Sequence, residues 1–132
     1  MPEINWIAVV VAAISAFMVG GLWYSPVCFA KAWMAETGIT GKEAGRKSSA
    51  FVFGNAFALS LVAAIVFAMF LGPHPSMQLA LGAGFAAGLA WVASSLGINY
   101  LFEGKTLRLF LINGGYHVVQ FTVYGLVLGL FN

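Results

Sequence analysis

Four residues near the C-terminus have the types and the spacing to do chemistry together. Asn113, His117, Gln120 and Tyr124 follow one another at intervals of 4, 3 and 4 residues. On an α-helix this spacing stacks them on one face, and Tyr116 flanks the row. An imidazole set among amides and a phenol could relay a proton or hold a small solute by hydrogen bonds. The same row could serve as interhelical glue, its polar groups bonding across a bundle or a dimer seam.

The rest of the chain decides where such a row must sit. Of 132 residues, 61% are hydrophobic and 8% charged, whereas a soluble domain carries about 25% charged residues. So few charges cannot cover a soluble globule of this size, and the lipid bilayer is the expected solvent. A spanning helix needs about 20 mostly apolar residues. Four segments qualify: about Asn5 to Tyr24, Ser49 to Leu71, Met77 to Tyr100 and Leu107 to Phe131. None holds a carboxylate, and His117 is their only imidazole. Backbone polar groups in lipid must pair internally, so these runs predict helices. A barrel would show alternating segments of about 10 residues, and these runs are continuous. The expected fold is an all-α membrane protein of one domain over residues 1–132. Four transmembrane helices form a compact bundle, and a short interfacial amphipathic helix follows the first.

A polar row facing lipid is costly, so it is expected to face protein or a water-filled cavity. Helix three offers partners. Ser95 and Asn99 are one turn apart, and Asn99 should lie at the depth of Asn113. Ser95, Asn99, Asn113 and His117 are therefore expected to form a polar pocket, joined by Asn55 from helix two. Ser15, Ser60 and Ser94 are expected to bond within their own helix or to a neighbour.

Trp6, Trp23 and Tyr24 have the amphipathic rings that collect at membrane interfaces. Ser25 and Pro26 fit the cap and first position of a helix over 26–36. Phe29 and Trp33 would share its apolar face in the interface plane, and Gly38 would end it. "TGKE", Thr40 to Glu43, fits a capping box, which starts the second helix near Gly41. "GPHPS" is a tight turn. Lys31, Lys42, Arg46 and Lys47 lie in the first loop and Lys105 and Arg108 near the third. The positive-inside rule then makes loops 25–48 and 101–108 cytoplasmic and puts both termini outside.

Small residues supply packing faces. Ala12, Ala16 and Gly20 line helix one, Gly84 and Gly88 helix three, and Gly125 and Gly129 helix four. Such spacing lets helix backbones approach closely, within a tight bundle or in a homo-oligomer whose protomers enclose a path.

Several functions are excluded or demoted. There is no phosphate loop, HExxH or CxxC, and no cofactor is expected. His117 and His74 should lie near opposite membrane faces, so no metal site is expected. No basic cluster suits nucleic acid. A serine hydrolase would need an acid beside His117. Lone Cys28 cannot form an intrachain disulfide.

An Asn-Trp pair near the N-terminus, "GGLWYSP", the Phe, Lys and Trp of "FAKAW", and the later "LFLINGGYHVV" resemble the family of bacterial membrane proteins called domain of unknown function 1761. The resemblance covers nearly the whole chain. It implies a small four-span protein, and so a bacterial inner membrane, and it supplies no catalytic residues. Two functional readings stand. One is an oligomeric transporter or channel-like binder of a small solute that uses the polar seam on helix four. The other is a structural or accessory protein that packs against a membrane partner through its glycine faces.

Overall fold

A computed structural model describes residues 3–39 and 48–131, and every regular element among them is helical. The order is α1 (Trp6–Trp23), α2 (Ala30–Thr37), α3 (Ser49–Leu71), α4 (Met77–Glu103) and α5 (Leu107–Leu130). Each long helix starts on a side-chain cap. Asn5, Ser48, Ser76 and Thr106 accept from the backbone N–H groups of Ala8, Phe51, Leu79 and Leu109, which otherwise have no partner inside the helix. Gly38 and Gly104 end α2 and α4 in the left-handed region, at φ 73° and 72°, where a Cβ is costly.

Three helices, α1, α3 and α4, are long and apolar enough to cross a membrane. With 24 residues α5 has the length, but Asn113, His117 and Gln120 make it less apolar. It is also the best enclosed helix. It packs along α4 on one side and α1 on the other, while α3 leans mainly on α1. Ala8, Val9, Ala12, Ala13 and Ala16 of α1 are fully buried, so a face of small side chains brings that backbone close to its neighbours. By contrast α3 presents Phe51, Phe53, Leu59, Val62, Val66 and Phe70 outward, as a lipid-facing helix would.

The seam between α4 and α5 is built from small residues along the whole α4 side and at Gly114, Gly125 and Gly129 of α5. Ala80 faces Gly125, Gly84 faces Phe121, Gly88 faces His117 and Val118, Ala93 faces Gly114, and Gly97 faces Phe110. A Cβ on Gly88 would stand 2.7 Å from the Val118 Cα, and one on Gly129 would stand 2.9 Å from the Met77 sulfur. Both Gly-x-x-x-Gly faces are thus occupied within the chain. Midway along the seam, Ala87–Ala93 of α4 winds as a π-helical turn, and the Ser94 N–H reaches back five residues to the Leu89 carbonyl.

The segment after α1 differs from the expected helix over 26–36. Residues 26–29 are turns, and α2 begins only at Ala30, with no side-chain cap. Ser25 does not cap it because its hydroxyl donates back to the Leu22 carbonyl, at 2.6 Å, and is spent closing α1. The proposed capping box, the start near Gly41, and Lys42, Arg46 and Lys47 lie outside the described residues.

In the turn between α3 and α4, His74 sits at φ 55°, and it is the one described non-glycine residue with positive φ. That conformation costs an L-residue roughly 1–2 kcal/mol. Glycine would remove the clash but loosen the unfolded chain by about 0.5–1 kcal/mol. His74→Gly is therefore expected to stabilise the protein by about 0.5–1 kcal/mol, read as a higher melting temperature in detergent. No change, or a lower melting temperature, would show that the His74 side chain contributes contacts worth more than the strain.

Candidate functional site

The polar row of α5 divides into two networks. The first ties three helix ends together. Asn113 Oδ1 accepts from the Tyr24 hydroxyl at 2.6 Å, and Asn113 Nδ2 donates to the Tyr100 hydroxyl at 2.7 Å. Beside it, Trp23 Nε1 donates to the Ile112 carbonyl at 2.8 Å, and the Tyr116 hydroxyl donates to the Ala16 carbonyl at 3.1 Å. Trp23 and Tyr24, read from sequence as interface anchors, turn their polar tips inward to α5. Phe29 packs tilted against Trp23 and Trp33 edge-on against Tyr24, with ring centroids 4.9 Å and 6.2 Å apart, and Trp6 is exposed at the far end of α1.

The second network runs deeper. His117 Nδ1 lies 2.7 Å from Gln120 Oε1, and Gln120 Nε2 donates to the Tyr124 hydroxyl at 2.7 Å. Tyr124 is fully buried. Its oxygen lies 2.6 Å from Ser60 Oγ and 3.0 Å from the Ser60 carbonyl. This joins α5 to α3 where the two helices otherwise touch little. Phe67 and Phe121 pack around the phenol, with ring centroids 6.5 Å and 5.0 Å from it.

The expected pocket of Ser95, Asn99, Asn113 and His117 does not form. Ser95 and Asn99 are exposed, and among the described residues neither bonds to Asn113 or His117. The reason is helical phase. Ala93 and Gly97 face α5, and a residue two positions further on points to about the opposite side. Asn55 is exposed too, and its amide donates to the Phe51 carbonyl of its own helix at 2.8 Å. Sequence reasoning passed over Ser60, Tyr24 and Tyr100 as partners of the row. The available signal for Ser60 was its place deep in an otherwise apolar stretch of α3.

A cleft of about 900 Å³ opens above the second network. Phe17, Trp33, Val52, Phe53, Leu59 and Phe121 are among its walls, and Tyr116, His117, Gln120 and Ser60 are its polar lining from α5 and α3. The lining holds no Asp, Glu, Lys or Arg. Ala30, Trp33 and Met34 of α2 line one end, and α2 is held there by Glu36, which meets Thr106 and lies 3.6 Å from Arg108. A second cavity, of about 280 Å³, lies at the other end of the molecule beside Glu3, Asn5 and His74. Among the described residues no cluster of three or more His, Cys, Asp or Glu could hold a metal ion.

Fold and site together define a small all-helical protein with membrane-capable helices and a half-buried histidine beside an apolar cleft. The family model described as Protein of unknown function (DUF1761) matches residues 7–129, and the chain belongs to that family. No curated protein and no solved structure matches it.

Proposed function

We propose that the protein is a four-span integral membrane protein of the bacterial inner membrane that binds and passes on a small, largely apolar solute. The observation that carries this reading is the cleft of about 900 Å³ with His117 in its lining. Ligand sites are typically mostly apolar cavities of about 300–1,000 Å³ with a few placed polar groups. The fourth span is α5. Its polar side chains turn inward and pair with one another, which is how a less apolar helix can sit in a bilayer. The Glu36–Arg108 contact joins the first loop to the third. That supports both lying on one side, which the basic residues make cytoplasmic, with the termini outside. The site is built within one chain. The glycine faces are occupied, so a homo-oligomer would have to use other surfaces and is not needed to form the cleft.

The accessory reading draws support from a different observation: the Tyr124 hydroxyl meets both Gln120 and Ser60 and so ties α5 to α3, as interhelical glue does. Native mass spectrometry from mild detergent separates the two. Wild-type protein is expected to retain a small molecule. Ala56→Trp, at an exposed position on the cleft wall, is expected to keep its melting temperature and lose that molecule. Bare protein in every detergent, or a ligand that the tryptophan variant keeps, would overturn the solute reading. A stoichiometric second protein would establish the accessory one.

A further inference from the structure

The second network has a direction, and that direction reaches the cleft. The Ser60 carbonyl can only accept, so the single phenolic proton of Tyr124 points to it. The Tyr124 oxygen then accepts from Ser60 Oγ and from Gln120 Nε2. This orientation of the Gln120 amide turns Oε1, an obligate acceptor, towards His117. With the amide in this orientation His117 Nδ1 is the proton-bearing nitrogen of the neutral ring, and Nε2 holds a free lone pair. The reversed amide would take the Tyr124 proton and leave the Ser60 carbonyl without it.

Nε2 has no hydrogen-bond partner among the described residues, and no buried side-chain nitrogen or oxygen among them lacks one. Nε2 is therefore accessible, and His117 lines the cleft. The other polar groups nearby have little to offer a ligand. The hydroxyl protons of Tyr24, Tyr116 and Ser60 are committed to Asn113, Ala16 and Tyr124. What the cleft presents is acceptors, the imidazole lone pair of His117 the strongest of them, among apolar walls that hold no Asp, Glu, Lys or Arg to balance an ion.

We propose that His117 Nε2 is the recognition atom for a neutral amphiphile that has a hydroxyl donor at one end and an apolar body. A cationic amine would face an uncompensated desolvation cost here, and a carboxylate would meet a lone pair. This inference rests on the cleft being the ligand site, and its test is arranged to fail separately from that reading.

The probes are a ten-carbon alcohol bearing a photoreactive diazirine and its methyl ether, which has no donor. Each is added to the full-length protein in phosphatidylcholine vesicles, and the labelled residues are read by peptide mass spectrometry. The alcohol is expected to label the cleft walls around Phe17 and Phe121, which are not on the outward face of α3, with an affinity about tenfold above the ether. His117→Phe is expected to keep the labelling and erase the preference. Unlabelled butanol added from water, or diacylglycerol placed in the bilayer, is expected to displace the alcohol, and the effective one names the source. Solid-state nitrogen NMR of His117 is expected to show Nδ1 protonated and Nε2 bare. Equal labelling by alcohol and ether, displacement by neither competitor, a preference that survives in His117→Phe, or a bare Nδ1 would each overturn the proposal. Absence of cleft labelling by either probe would overturn the cleft reading itself.

Discussion

Gly125→Ala is expected to destabilise the protein by about 3 kcal/mol, at the upper end of what overpacking costs. The added Cβ would land on the Ala80 carbonyl oxygen of α4, far inside van der Waals contact. Backbone cannot swing aside as a flexible side chain can, so α4 and α5 must separate. That opens the most extensive helix pairing in the molecule, and in lipid no hydrophobic drive pushes it shut again. Gly84→Ala should behave alike, since its Cβ would meet the Phe121 carbonyl. Gly54→Ala and Gly82→Ala are the controls. Both glycines look into open space within helices, so alanine should be neutral or stabilise by up to about 1 kcal/mol through helix propensity. Thermal unfolding in a single detergent would compare all four. Equal effects across the set would mean that the seam is not where stability resides.

Tyr124→Phe is expected to cost about 2–3 kcal/mol, although it removes a single oxygen. That oxygen accepts from Gln120 and Ser60 and donates to the Ser60 carbonyl. Its loss leaves two buried donors unpaired, at roughly 1–3 kcal/mol each. The lower part of that range is the apt one, because hydrogen bonds measured inside membranes are modest. The stronger check is a rescue. If the penalty comes from orphaned donors, Tyr124→Phe combined with Gln120→Leu, Ser60→Ala and His117→Phe should recover most of it, since that removes every partner in the network, His117 Nδ1 included, and removing both partners of a bond can be nearly neutral. A fourfold variant less stable than the single one would place the loss in packing around the ring instead.

The helical class and the apolar segments were legible because composition and continuous hydrophobic runs leave lipid-embedded backbone few alternatives. The one-face spacing from Asn113 to Tyr124 was legible for the same kind of reason, since a period of 3.6 residues depends on nothing outside the helix. What was not legible was partnership. Trp23 and Tyr24 look like interface residues by type, and only the docking of α1 on α5 turns their polar tips inward. Ser60 and Asn55 are both lone polar residues in α3. Ser60 meets Tyr124 and Asn55 donates to its own helix, in a pair of helices that touch little. Ser95 and Asn99 looked well placed on a helix of uniform pitch, but their phase is set by the neighbours Ala93 and Gly97. Ser25 had the type of a cap and the wrong direction of bonding.

The wide turn in α4 has a consequence for how relatives of this chain can differ in length. Along the seam, Ala80, Gly84, Gly88, Ala93 and Gly97 advance by steps of 4, 4, 5 and 4 residues, and the long step coincides with the π-helical turn. One residue there is surplus to the α-helical register. A relative that lacks a residue between Gly88 and Ala93 could run as an uninterrupted α-helix with all five small positions still on the seam. A deletion elsewhere in α4 would swing one half of the helix by about 100° and carry its small residues off the contact. Gaps among homologues should therefore be tolerated in one short window of this helix and rejected on either side of it.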